Sequence, residues 1–186
     1  FSMEMSREAL AIRMISSLGR VDQNNLRNGD FKQDGWDRIN SAVQMMEDAP
    51  IYIDDSPALS PTEVRARARR LKRESNIGLI VLDYLQLMQV PGNNENRTAE
   101  VSEISRSLKA LARELEIPII ALSQLNRGID SRTDKTPLLS DLRDSGSIEQ
   151  DADTIAFIYR EEFYNADTPR KGIADINISK QRNGPT

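Results

Sequence analysis

The sequence predicts an α/β fold, three layers deep, with a mostly parallel central sheet and helices on both faces. Three observations carry that reading. The stretch Gly78-Leu79-Ile80-Val81-Leu82 is apolar without alternation, the pattern of a strand buried on both faces. Val101, Ile104, Leu108, Leu111 and Leu115 follow at helical spacing, and then comes a second apolar block, Ile117-Pro118-Ile119-Ile120-Ala121-Leu122. Strand, helix and strand in that order make a βαβ unit, whose strands are parallel and whose crossover is right-handed. Along the whole chain the spacing gives at least five strands with helices between them, which a layered α/β fold accommodates most simply.

Phe1-Ser2-Met3 reads as the tail of a strand with Glu4 at its carboxyl end. Ser6 is placed to cap a helix carrying Leu10, Met14 and Leu18, because a serine hydroxyl accepts from the free N–H groups of a first turn. A polar turn is expected over 24–29. Asp34 then caps a second helix in which Trp36, Ile39, Val43 and Met46 recur at helical spacing and read as core. Ile51-Tyr52-Ile53 reads as a short strand ending in Asp54-Asp55.

Ser60-Pro61-Thr62-Glu63 is a capping box with proline at the first helical position. The helix it opens turns Val64, Ala68 and Leu71 inward and carries Arg65, Arg67, Arg69, Arg70, Lys72 and Arg73. Such a charge run reads first as a solvated face, with nucleic-acid contact and a subunit or partner surface as alternatives. A polar loop is expected over 91–97, and Thr98 opens the helix of the βαβ unit.

Residues 125–147 read as a long loop or loop-plus-turn, in which Arg127, Arg132, Lys135 and Arg143 are balanced by Asp130, Asp134, Asp141 and Asp144. Loops of that length in compact domains are usually functional or disordered. A buried strand returns at 153–159. Another, with Ile173, Ile176 and Ile178, spans 172–179 and delivers Lys180-Gln181-Arg182-Asn183-Gly184 at its end.

Composition narrows the chemistry. The 186 residues suffice for one domain with a sizeable core. With 38% hydrophobic and 29% charged residues the chain is ordinary for a globular protein, and no apolar run reaches the length of a membrane span. The formal charge of −4 gives no overall field that attracts nucleic acid, so any such binding is local. Cysteine and histidine are both absent, which removes disulfides, thiol nucleophiles, zinc clusters and imidazole bases together and leaves proton transfer to carboxylates. The chain opens on Phe1-Ser2-Met3-Glu4-Met5 and closes on Gly184-Pro185-Thr186 as if in mid-fold. It is therefore expected to be a single domain over 1–186, incomplete at both ends.

Asp83 ends the first buried block, and open α/β sheets place their ligands beyond the carboxyl ends of strands. A buried run closed by one aspartate resembles a Walker B strand, whose carboxylate helps hold the Mg²⁺ of a bound nucleotide; a plain strand-end aspartate is the alternative. Ser123-Gln124 leaves the second strand of the same βαβ unit, so Asp83 and Gln124 are predicted on one edge. Glu4 stands at another strand exit, with a solvent-facing glutamate as the alternative, and Lys180 with Arg182 beyond a third, where two cations can bind phosphate and a surface pair that binds nothing is the alternative. Glu4, Asp54, Asp55 and Asp83 also admit a Mg²⁺-dependent nuclease, since two-metal sites want clustered carboxylates.

Five blocks together go further. Phe1-Ser2-Met3-Glu4-Met5, Leu79-Ile80-Val81-Leu82-Asp83-Tyr84-Leu85-Gln86-Leu87-Met88, Ala121-Leu122-Ser123-Gln124-Leu125-Asn126-Arg127, Asp141-Leu142-Arg143-Asp144-Ser145-Gly146-Ser147-Ile148-Glu149-Gln150-Asp151-Ala152-Asp153 and Lys180-Gln181-Arg182-Asn183-Gly184-Pro185 resemble, in this order, the motor domain of bacterial replicative DNA helicases, the DnaB family. The resemblance covers essentially the whole chain. It implies a RecA-like fold that assembles as a homohexameric ring and uses ATP with Mg²⁺ to translocate on single-stranded DNA, in the bacterial cytoplasm at the replication fork, with primase and a helicase loader as partners of the full protein. By the same resemblance Glu4 polarises the attacking water, Asp83 belongs to the Mg²⁺ shell and Gln124 senses the γ-phosphate. Arg182, with Lys180, reaches the neighbouring subunit's nucleotide, where positive charge stabilises the transition state. Arg143, Asp144 and Gly146 resemble the loop that holds DNA phosphates, partly through backbone N–H groups, which needs no basic pI.

One departure stands beside the match. The phosphate-binding loop G-x-x-x-x-G-K-[ST] is absent, and no Gly-Lys pair occurs anywhere in the chain. The chain alone is therefore expected not to turn over ATP, and a non-catalytic RecA-like interaction module is the alternative reading.

Overall fold

Ser6 starts the first helix as expected, its hydroxyl accepting from the N–H of Ala9 at 3.3 Å. The computed structural model describes residues 1–31, 33–92, 96–142 and 146–186, the side chain of Gln33 aside. By its internal packing the chain divides into two compact units, Phe1–Pro57 and Ala58–Thr186.

In the first unit, α1 (Arg7–Gly19) is followed by α2 (Gln23–Asn28) and α3 (Gln33–Glu47). The polar turn expected over 24–29 is thus a short helix. The Asp22 carboxylate accepts from the N–H groups of Asn24 and Asn25, and Gly29 ends the helix at φ 68°. Six residues are too few to show an apolar period, so the caps were the only signal. Gly19 lets α1 approach α3 closely, because a Cβ there would lie 3.3 Å from the Arg38 carbonyl oxygen.

α3 buries a narrower face than its apolar spacing predicts. Ile39 and Ala42 are buried, whereas Trp36 is 49% and Val43 41% exposed. Trp36 instead meets Phe31 edge to face, with ring centroids 4.7 Å apart. Asp34 lies inside the first turn of α3, not at its cap. Residues 51–53 form no strand: the Ile51 N–H turns back to the Ala49 carbonyl at 2.8 Å, and just beyond the segment the Ser2 N–H donates to the Asp54 carbonyl at 2.8 Å.

The second unit opens with α4 (Pro61–Ser75), whose capping box is complete: Ser60 Oγ accepts from the Glu63 N–H and the Glu63 carboxylate accepts from the Ser60 N–H. Val64 and Ala68 are buried as expected. The arginine run is largely occupied, Arg65 and Arg69 both binding Glu114 and Arg70 facing Glu74.

Next come β1 (Ile80–Leu82), α5 (Arg97–Leu115) and β2 (Ile119–Ala121), the βαβ unit read from the sequence. β1 and β2 are parallel, pairing Ile80 with Ile119, Val81 with Ile120 and Leu82 with Ala121. Leu82 is fully buried, and α5 adds Val101, Ile104, Leu108 and Leu111 to the same core. Burial on both faces is not observed, since Val81 is 44% and Ile120 50% exposed. A continuous apolar run states that a strand has two apolar faces; it does not supply the layer that covers the second.

Residues 125–142 are not open loop. Two 3₁₀ turns, Arg127–Ser131 and Leu139–Asp141, are drawn together by an antiparallel bridge between Leu125 and Leu142. The fork of Arg132 closes the knot, donating to both Asp141 carboxylate oxygens at 3.0 and 2.7 Å and to the Thr136 carbonyl at 2.8 Å. After α6 (Gly146–Asp151), β3 (Thr154–Tyr159) and β4 (Asp175–Gln181) form an antiparallel pair. β3 alternates in burial instead of being buried throughout, with Ile155 and Phe157 inward and Ile158 outward, as an antiparallel strand with one open face does. Among the described residues the strands therefore number four, in two pairs, where five or more were expected.

Candidate functional site

The parallel register brings two of the sequence-predicted residues to one edge. Leu82 and Ala121 are partners, so Asp83 and the segment Leu122-Ser123-Gln124 leave the β1–β2 pair at the same carboxyl edge. The ladder continues beyond the strands: Leu122 donates to the Leu82 carbonyl and accepts from the Leu85 N–H, both at 2.9 Å. Asp83 is half-buried, Gln124 is exposed, and the side chains of both make no hydrogen bond or ion pair among the described residues. A half-buried carboxylate with free oxygens at a strand exit fits one ligand of a Mg²⁺ ion, which takes one or two carboxylates plus phosphate oxygens and water.

Beyond Asp83 the chain makes a 3₁₀ turn, Leu85–Leu87. The Gln86 side chain folds back from it onto the exit of β2, where it accepts from the Gln124 N–H at 3.2 Å and donates to Ser123 Oγ at 2.9 Å. Arg97, at the start of α5, donates to the Gln86 carbonyl at 2.7 Å, and the Glu100 carboxylate accepts from both Arg97 and the Val90 N–H. Sequence reasoning passed over Gln86. Its signal was a lone amide between Leu85 and Leu87, directly after the strand-end carboxylate.

Lys180 and Arg182, at the end of β4, gather at the carboxyl end of α6. Lys180 Nζ donates to the carbonyls of Glu149 and Ala152, the latter at 2.8 Å, and Arg182 Nη2 donates to the Gln150 carbonyl at 3.0 Å. The last carbonyls of a helix have no partner within it and carry the negative end of its dipole, so two cations are at home there. Asp153 joins the group, bound by Lys109 from α5 and facing Arg182 Nε at 3.4 Å. The Lys109 hydrogen bond holds the Asp153 carboxyl below its ordinary value, and the charges of Lys109, Arg182 and Lys180 add to the effect.

Gly146 is the first residue of α6 and is exposed; Arg143 and Asp144 lie outside the described residues. α6 thus has Gly146 at one end and the Lys180 and Arg182 cations at the other, and Ser105 of α5 donates to the Asp151 carboxylate at its last residue, 2.8 Å. In the first unit, Glu4 is exposed on a bend closed by the Ser2 hydroxyl donating to the Met5 carbonyl at 2.8 Å. Asp55 is committed to α1, accepting from the Arg7 N–H at 3.1 Å and its guanidinium at 2.9 Å, which together hold its carboxyl below the ordinary value. No group of three or more His, Cys, Asp or Glu side chains that could hold a metal ion occurs among the described residues.

Residues 1–186 match the family described as the DnaB-like helicase C terminal domain. The chain belongs to that family. It is 57% identical over 187 residues to the replicative DNA helicase DnaB of Buchnera aphidicola subsp. Acyrthosiphon pisum, covering all of this chain and 41% of that protein. It is 54% identical to the DnaB of Geobacillus stearothermophilus, with the same coverage. The chain thus spans about two fifths of the length of these relatives. Among solved structures it is similar to an isolated ATPase domain, with a TM-score of 0.92 and 38% identity over 99% of this chain and 66% of that one. It is equally similar to a DnaB-like replicative helicase described with its primase interactions, with a TM-score of 0.93 and 38% identity over 99% of this chain and 45% of that one. The fold is accordingly the RecA-like ATPase fold of DnaB-like helicases. No helix among the described residues is long and apolar enough to cross a membrane.

Proposed function

We propose that residues 1–186 form one RecA-like motor domain of a replicative helicase. In the full-length protein it hydrolyses ATP with Mg²⁺ to move a hexameric ring along single-stranded DNA and unwind the duplex at the replication fork. Membership of the DnaB-like family supports this, and the observation that carries it is the shared edge of Asp83 and Gln124, set by the β1–β2 register. Asp83 supplies a Mg²⁺ ligand and Gln124 a polar contact to the terminal phosphate. Glu4 orients the attacking water, and Arg143, Asp144 and Gly146 contact DNA phosphates. Bound Mg²⁺–ATP supplies the phosphoryl group whose transfer powers translocation. Primase and a loader are the expected partners of the whole protein; the DnaB-like helicase of similar fold is described with primase. Since G-x-x-x-x-G-K-[ST] is not among these residues, the chain alone does not turn over ATP.

Lys180 and Arg182 are proposed to act on the nucleotide of a neighbouring subunit. Their hydrogen bonds to the Glu149 and Gln150 carbonyls are exposed, and an exposed ion pair such as that of Arg182 with Asp153 contributes about 0–1 kcal/mol. Release of Arg182 from Asp153 and the Gln150 carbonyl is therefore cheap beside the charge of a triphosphate. In the full-length protein, Arg182→Ala should abolish DNA-stimulated ATPase, a loss of about 10³-fold or more as for other trans-acting arginines, while nucleotide binding stays largely intact. Near-normal turnover in that variant sinks the assignment.

A further inference from the structure

The ladder between β1 and β2 does not stop where the strands do. In a parallel pair, alternate residues of one strand offer both N–H and C=O to the other. Here Pro118 accepts from Ile80 at 3.1 Å, and Leu122 bonds both Leu82 and Leu85. The next residue in that alternation is Gln124, but at that level the first strand has already turned into its 3₁₀ turn. Gln86 fills the missing rung with its side chain. Its Oε1 accepts from the Gln124 N–H at 3.2 Å, while its Nε2 donates to Ser123 Oγ at 2.9 Å and lies 3.4 Å from the Gln124 carbonyl.

We infer that Gln86 is the positioning residue for Gln124: its amide completes the β1–β2 ladder, fixes the Gln124 backbone, and so aims the unbonded Gln124 side chain across the edge that carries Asp83. The residue type follows from the task. A primary amide presents an acceptor and a donor on one rigid plane, and so matches a backbone N–H and C=O at once. Glutamate keeps the acceptor and loses both donors, and leucine loses everything but volume. Gln86 is itself held from behind, its carbonyl accepting from Arg97 at 2.7 Å, and Arg97 also reaches the Met88 carbonyl at 3.3 Å. The amide is therefore mounted on a turn tied down at the start of α5. Backbone placement of this kind changes rate more than affinity, because small displacements of a group act chiefly on the transition state.

The role in turnover rests on the proposed sensing function of Gln124; the clamp itself does not. Both are read in the full-length protein with ATP, Mg²⁺ and single-stranded DNA. Gln86→Leu should lower the DNA-stimulated kcat about tenfold, with KM for ATP within about twofold, and Gln86→Glu should fall between it and the parent. Gln86→Leu combined with Gln124→Ala should be no slower than Gln124→Ala alone, since a group that acts only through another adds nothing once that other is gone. Hydrogen exchange should speed up about tenfold in the peptide carrying the Gln124 amide in Gln86→Leu. Unchanged exchange there overturns the clamp, and multiplicative losses in the double variant overturn the positioning role, as does full turnover in Gln86→Leu beside an impaired Gln124→Ala. Normal turnover in Gln124→Ala with faster exchange in Gln86→Leu refutes the sensing role of Gln124 and leaves the clamp standing. If Gln86→Leu fails to fold, the same comparisons are made with Gln86→Glu.

Discussion

Arg182 is joined to Asp153 twice, through its backbone N–H on the Asp153 carbonyl at 2.8 Å and through its guanidinium Nε, 3.4 Å from the carboxylate. Lys109 binds the same carboxylate from α5. One aspartate therefore ties the end of β4, the exit of α6 and the flank of α5. Its carboxyl is held below the ordinary 3.8, first by the Lys109 hydrogen bond. A depressed folded-state value means that the stabilisation is fully present above the unfolded value and is lost as pH falls through the lower, folded one. Denaturant titrations at a series of acid pH values should show Asp153→Asn less stable than the parent near neutrality, with a shallower loss on acidification. Parallel curves for the two proteins would count against the ion pair.

The interaction proposed for Arg143 is electrostatic, so its signature is salt. In the full-length protein, Arg143→Ala should weaken single-strand binding and reduce the slope of log affinity against log salt by about 0.7 for each phosphate no longer neutralised. An unchanged slope argues that the loop does not hold phosphate.

Arg132 and Asp141 close the 125–142 segment, and Asp141 is 7% exposed. Asp141→Ala leaves the guanidinium without its carboxylate and frees the Leu138 N–H, which now donates to Asp141 at 2.8 Å. The expected cost is about 2–4 kcal/mol, read from denaturant unfolding together with faster proteolysis between residues 126 and 142. Equal protease resistance would show that the bridge between Leu125 and Leu142 suffices alone.

Ser60 caps α4 from a nearly buried position, with its hydroxyl 2.7 Å from the Glu63 carboxylate. Ser60→Ala should destabilise the protein by about 1 kcal/mol, while Ser60→Thr keeps most of the cap. Thermal unfolding of the two variants decides the point; identical melting of Ser60→Ala and the parent would place α4's start under the control of packing instead.

Sequence alone determined the local grammar of this protein. The caps at Ser6 and Ser60, the apolar stripe of α5 and the parallel pairing that puts Asp83 beside the exit to Gln124 are all set by residues within a helix turn or one βαβ crossover of each other. The blocks that mark the family are equally local. Tertiary structure decided what depends on partners distant in the chain. Trp36 and Ile39 both fit α3's apolar pattern, but only packing against α1 buried one and exposed the other. The charges of 125–147 balance on paper, yet Arg132 chooses Asp141 because the chain between them closes on itself. Lys180 and Arg182 read as free cations until α6 ends beside them and offers its unpaired carbonyls. Gln86 is one amide among leucines in the sequence; it becomes a rung of the sheet only because Gln124, 38 positions away, arrives with an unpaired N–H.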